Sequence, residues 1–256
     1  MCFVIVHLKE DRAVTISLPN QVWMRRWLAG LLSLVLVCGA LLAVNIRSKR
    51  ADALLPVSPW SFATIGVTVA GQGGIGTGAD QLEAPAGLVL DASNNIFVAD
   101  TANSRIQKCL HASTSCTTVA GQGGIGAGND QLDHPRGVAL DASGNIYIAD
   151  TANNRIQKCA PEALTCTTVA GQSGVGSDSD QLNTPSGIAV DTSGNIYIAD
   201  TANSRIQKCV PEALTCTTVA GQGGTGANPD QLDHARGVAL ETNGNIYVAD
   251  TANSRI

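Results

Sequence analysis

The sequence predicts an all-β fold, a β-propeller of four-stranded blades made from four repeats of about 50 residues and preceded by one N-terminal hydrophobic helix. Three observations carry this expectation. Asp100, Asp150, Asp200 and Asp250 fall at a fixed period of 50 residues, as do Arg105, Arg155, Arg205 and Arg255, with no insertion or deletion between units. Turn residues cut each unit into short apolar runs of strand length. Ahead of the repeats stands an uncharged run of eighteen residues, "WLAGLLSLVLVCGALLAV".

The first element is that run, Trp27 to Val44. It is long enough to cross a bilayer as a retained anchor and equally suited to the core of a cleaved signal peptide. Either role leads the rest of the chain out of the cytoplasm. Arg25 and Arg26 precede the run and Arg47, Lys49 and Arg50 follow it, so the flanking charges set no orientation. A start at Met24 would give "MRRWLAGLLSLVLV", an ordinary signal with a short basic head, so residues 1–23 are read as an N-terminal segment ahead of the expected start. Residues 24–50 are then the signal or anchor, 51–63 a linker carrying the small-x-small triplet "ADA", and 64–256 the propeller. Cys38 follows Val37, a residue too large for a lipid-attachment site.

Within one unit the strands follow in order. Gly137 to Leu140 is apolar, and "DASGN" closes it as a tight turn with Gly144 free to take positive φ. Asn145 to Ala149 is apolar on both alternating faces, the mark of a strand covered from both sides. "DTANNR" turns into a third strand at Ile156 to Cys159, and "APEALT" into a fourth at Cys166 to Ala170. Phe97, Tyr147, Tyr197 and Tyr247 share one register and are expected to pack between blades. Asp150 and Arg155 flank their turn and are expected to pair across it, with Asn153 or Asn154 left-handed. The "DASGN" turns carry hard oxygen ligands but are too short to encircle a calcium ion and lack a distal bidentate Glu.

"GQGGIG" at Gly121 to Gly126 matches a dinucleotide fingerprint in letters only. That fingerprint needs a helix after the glycines to hold the pyrophosphate, and here a turn and another strand follow. The glycines instead make a loop from one blade's outer strand to the next blade's inner strand. No cofactor is implied.

The cysteines obey the same frame. Cys109 and Cys116, Cys159 and Cys166, and Cys209 and Cys216 each bracket the six-residue loop between third and fourth strands. Opposed positions at a hairpin base reach disulfide distance, and an exported chain meets an oxidising compartment, so three disulfides are expected. Metal binding would want Cys-x-x-Cys spacing or histidines beside each pair, and only His111 stands in such a loop.

"PRGVALDASGNIYIADTANNRIQKC" resembles the NHL repeat: a Pro-x-Gly-aliphatic start, an Asp-x-x-Gly-Asn turn, an aromatic-aliphatic-Ala-Asp strand and an Asn-x-Arg-aliphatic ending. The resemblance recurs four times from about residue 67 to the end. The histidine of the family's name is replaced by Ser104, Asn154, Ser204 and Ser254, a turn position whose change is expected to remove a surface contact. The resemblance implies a propeller used mainly for binding, with an enzymatic minority.

Function should lie where near-identical units differ. Before the inner strand the four units read "LEAPAG", "LDHPRG", "LNTPSG" and "LDHARG". Asp133, His134 and Arg136, with Asp233, His234 and Arg236, are therefore the candidate ligand-binding residues at the mouth of a central channel. Two histidines without a third ligand make no metal site, and no catalytic constellation can be assembled. The expected function is an extracytoplasmic binding or scaffolding module for a protein or other extracellular ligand. The rival reading is a lyase or lactonase acting at the channel mouth. RNA binding ranks third: up to Arg50 there are seven Lys/Arg and two Asp/Glu, and beyond it nine and nineteen, a sign that repels phosphate. Ala63 to Gly71 aligns with an outer strand lacking three predecessors, and the last unit stops at Ile256 as its third strand begins, so a larger ring is expected.

Overall fold

Short polar turns and β-branched runs dictate antiparallel meanders, and these are what the computed structural model contains. It describes residues 3–8, 12–17 and 67–256, apart from residues 112, 114, 164 and 214. The expectations for Met24, the helix over Trp27 to Val44, Cys38 and the linker 51–63 lie outside the described residues. Among the described residues no helix is long and apolar enough to cross a membrane.

The chain divides into two units, Met1–Ala63 and Thr64–Ile256. In the first, β1 (Phe3–Leu8) and β2 (Arg12–Ser17) pair antiparallel, with Phe3 opposite Ser17 and Leu8 opposite Arg12. The β-branched run Val4, Ile5 and Val6 favours an extended chain. Nothing in the reading of residues 1–23 as a segment ahead of the expected start points to this hairpin.

The second unit holds the blades. Blade 1 is β3 (Pro85–Leu90), β4 (Ile96–Asp100), β5 (Arg105–Cys109) and β6 (Cys116–Ala120). Blade 2 is β7 (Gly137–Leu140), β8 (Ile146–Asp150), β9 (Arg155–Cys159) and β10 (Thr167–Ala170). Blade 3 is β11 (Pro185–Val190), β12 (Ile196–Asp200), β13 (Arg205–Cys209) and β14 (Cys216–Ala220). The fourth sheet contains β15 (Ala235–Leu240) and β16 (Ile246–Asp250), with a single bridge from Asp250 to Arg255. Strands pair in chain order within every sheet. The architecture is all-β, as the sequence predicts. Strand edges differ from expectation by one residue, because Asp150 and Arg155 still pair in the ladder before the turn closes.

In blades 1 to 3 each turn is set by an aspartate, replaced by Glu241 in the fourth sheet. Asp141 accepts the Ser143 and Asn145 backbone N–H groups through one oxygen, both at 2.9 Å, and the Asn145 side-chain amide through the other, at 2.7 Å. Gly144 takes φ 79° at that turn. At the opposite end, Thr151–Asn153 make one 3-10 turn that Asn154 ends in the left-handed region at φ 54°. Ser104 and Ser204 do the same in blades 1 and 3, and Ser254 is left-handed at φ 52° in a plain turn.

Blades pack face to face through one repeated set of side chains. Blade 1 gives Phe97, Ala99 and Ile106 to a core shared with Val138, Ile146 and Ile148 of blade 2. Blade 2 gives Tyr147, Ala149 and Ile156 to Ile188, Ile196 and Ile198 of blade 3, and blade 3 gives Tyr197, Ala199 and Ile206 to Val238, Ile246 and Val248. The aromatic register therefore lies between blades, as expected for Phe97, Tyr147 and Tyr197. The inner strands approach closest of all: a methyl group on Gly137 would overlap the Ser186 carbonyl oxygen, so only glycine fits.

Two expectations are corrected here. Val67 to Gly71, aligned by sequence with an outer strand, carries no strand, and Val67 and Val69 are 81% and 56% exposed. A strand needs a neighbour to complete its ladder, and among the described residues none lies beside this segment. In blades 1 and 3 the position of the missing histidine is not a surface position either, while Asn154 is half-buried and Ser254 exposed. Ser104 and Ser204 are 2% and 1% exposed, and their hydroxyls accept the backbone N–H groups of His134 and His234 in the next blade.

Candidate functional site

The first strands of the four sheets surround a cavity of about 380 Å³. Its wall repeats one tripeptide register: Ala86-Gly87-Leu88, Arg136-Gly137-Val138, Ser186-Gly187-Ile188 and Arg236-Gly237-Val238. Glycine in the middle of each triplet lets neighbouring strands close in, and the residue before it is the one the units vary.

That variable residue differs in what it does. Arg136 and Arg236 are exposed within the cavity wall, and among the described residues neither guanidinium has a hydrogen-bond or ion-pair partner. Ser186 is buried and committed to structure: its hydroxyl lies 2.6 Å from the Thr201 hydroxyl and donates to the Arg236 carbonyl at 2.9 Å. Ala86 offers no polar group. The cavity wall thus includes two arginines on alternate strands, neither guanidinium partnered among the described residues, in an otherwise apolar and backbone-lined surface.

His134 and His234 do not line this cavity. Both sit at left-handed positions, φ 47° and 50°, which Ala84 and Thr184 also adopt in the other units. Each imidazole Nδ1 lies against the carboxylate of the preceding residue, His134 on Asp133 at 2.5 Å and His234 on Asp233 at 2.6 Å. More than half of each imidazole faces solvent. The structure therefore separates the six candidates into an arginine pair on the cavity wall and two Asp-His pairs on the turns just before it. Among the described residues no three His, Cys, Asp or Glu side chains gather as a metal would need.

The cysteines are bonded in three pairs, Cys109 to Cys116, Cys159 to Cys166 and Cys209 to Cys216, with Cα atoms 4.0 to 4.2 Å apart. Cys109 with Cys116, and Cys209 with Cys216, are direct cross-strand partners. Bonds of this kind persist in an oxidising environment.

The site stands on a polar clamp repeated in every unit. Asp150, fully buried, accepts the Asp133 backbone N–H at 2.7 Å, the Asn153 amide at 2.9 Å and the Arg155 Nε at 2.7 Å. Burial nonetheless holds its carboxyl, and that of Asp200, above the usual aspartate range. Arg155 spends its remaining donors on the Ala127, Gly128 and Gln131 carbonyls, so it pins the glycine-rich loop that leads into its own blade. Sequence reading found the Asp-Arg pair and missed this reach of 24 to 28 residues. The fixed spacing of arginine and loop in all four units was the available signal.

Taken together, the sheets and their shared cores define a repeat β-propeller architecture. The NHL repeat model matches residues 82–109, 132–159, 182–209 and 232–256, and the chain carries four NHL repeats. No curated protein matches the chain. Among solved structures it is similar to an auxiliary nutrient binding protein from Bacteroides thetaiotaomicron, with 17% identity over 66% of this chain and 46% of that one and a TM-score of 0.52. A gluconolactonase from Xanthomonas campestris follows, with 16% identity over 68% and 56% and a TM-score of 0.51. At these identities the likeness is one of fold. The chain spans about half the length of either structure.

Proposed function

We propose that this chain is an extracytoplasmic binding module whose ligand, a protein surface presenting a carboxylate, docks at the central cavity between Arg136 and Arg236. The observation that carries this reading is the pair of unpartnered guanidiniums on the cavity wall. A guanidinium matches a carboxylate through two parallel N–H donors, and such charge-assisted bonds contribute roughly 1.5 to 3 kcal/mol each. The blades hold both arginines on strands packed by glycine contact, so the backbone at the site needs no reordering on binding. The surrounding acidic repeat repels carboxylates elsewhere, which favours this one cationic point. The three disulfides and the apolar run Trp27 to Val44 support a place outside the cytoplasm, whether the run is cleaved or kept as an anchor.

Calorimetric titration of the full oxidised chain with a penta-glutamate peptide tests the reading. Saturable binding that weakens with added salt is expected, and a flat titration at low salt contradicts it.

A further inference from the structure

We propose that a second copy of the chain docks its fourth blade on the first blade of this one, through the contacts that join neighbouring blades inside each copy. The same registers are buried at the internal interfaces and bare at the two outer ones. Val138 and Ile188 are 6% and 8% exposed beneath the preceding blade, whereas Leu88 at that position in blade 1 is 66% exposed. Leu90, equivalent to Leu140 and Val190, is 53% exposed. On the other side, Phe97, Tyr147 and Tyr197 are 6%, 3% and 8% exposed beneath the following blade, whereas Tyr247 is 50% exposed.

Leucine and tyrosine kept at core registers and left in water make an apolar patch on each outer face. What covers such a face is already on view three times in the molecule. The blade 1 face is the half that receives an aromatic residue, as Val138 receives Phe97, and the blade 4 face is the half that delivers one. The two faces are therefore complementary to each other and not to themselves, so the contact is head-to-tail. It also reproduces the polar joint found once at each of the three internal boundaries, where Thr101, Thr151 and Thr201 donate to the Pro135, Pro185 and Ala235 carbonyls of the next blade. Thr251 in the fourth sheet is exposed and, among the described residues, donates only to the Ala249 carbonyl of its own strand; the Pro85 carbonyl of a second copy is its counterpart.

Sedimentation of the full chain in mild detergent, using the wild type, Leu88→Glu, Tyr247→Glu and their equimolar mixture, decides the matter. Concentration-dependent association of the wild type is expected, with each single variant weakened by about 30-fold or more, since a charge then enters the centre of an apolar contact. The mixture restores association, because each variant brings one intact face. Leu90→Glu, on the same face as Leu88, reproduces the Leu88→Glu behaviour with its three disulfides formed. A wild type that stays monomeric at the highest attainable concentration overturns the proposal. So do single variants that associate like the wild type, or a mixture that behaves like its components. Protection of Leu88 in a monomer assigns the face to another segment of the same chain and overturns it equally.

Discussion

Arg155 donates through Nε to the buried Asp150 carboxylate at 2.7 Å and through its terminal nitrogens to three loop carbonyls, making one side chain the bolt between a turn and a glycine-rich loop. Replacing Arg155 by Ala leaves Asp150 buried without its counter-charge and is expected to cost about 3 to 5 kcal/mol. Lysine does not rescue it, because one ammonium cannot serve a carboxylate and three carbonyls in a plane. Arg255 makes the same pair with Asp250 but is 38% exposed, so Arg255→Ala is expected to cost about 1 kcal/mol or less. Urea unfolding of the two variants checks the contrast, and equal losses would contradict it.

Gly137 is expected to tolerate no side chain. Alanine there meets the Ser186 carbonyl on the neighbouring strand, and the two innermost strands must separate to admit it. Thermal unfolding should place Gly137→Ala at least about 2 kcal/mol below wild type. Gly244→Ala is the control: its Cβ would meet open space and carries only the strain of φ 93°.

For the disulfides, the exported chain should weigh six hydrogens less than its reduced form. Cys159→Ser leaves Cys166 as a free thiol and removes a bridge closing a separation of seven residues, worth roughly 2 to 3 kcal/mol on the chain-entropy view. Replacing both cysteines should cost less than twice the single change, because both remove the same bond. Thiol titration and denaturant midpoints measure each part.

Acid stability has two opposed contributions. Burial raises the Asp141 carboxyl, but hydrogen bonds from the Asn145 side chain and backbone and from Ser143 outweigh it and leave the group below the usual value; Asp191 behaves alike through Asn195 and Ser193. These groups stabilise the fold above the ordinary aspartate value of about 3.9, and that stability is lost as pH falls below it. Asp150 and Asp200, raised by burial, work the other way: in the window just above that value the folded state takes up protons first and stability rises as pH falls. Denaturant midpoints across pH 6 to 2 should therefore hold or rise slightly, then drop. Asn145→Ala should make the drop shallower.

Much of this was legible in the sequence because the units repeat. Four copies of the turn and the aromatic strand, with three pairs of cysteines, fix strand order, hairpin ends and bridges by spacing alone. What spacing cannot carry is the direction of a side chain. His134 and Arg136 are two residues apart and were expected to converge, yet the left-handed backbone at His134 turns its imidazole onto Asp133 while Arg136 joins the cavity wall. Ser186 looked like an absent arginine and is instead a buried joint to Thr201. The hairpin of β1 and β2 had no repeat to announce it.

The most direct test of the binding account compares two double variants of the full oxidised chain against penta-glutamate peptide. Arg136→Ala with Arg236→Ala is expected to weaken binding by at least about tenfold for each guanidinium lost, with an unchanged melting temperature because neither side chain has a partner among the described residues. His134→Ala with His234→Ala is expected to bind within a few-fold of wild type. Full affinity in the arginine variant, or loss confined to the histidine variant, would contradict the account.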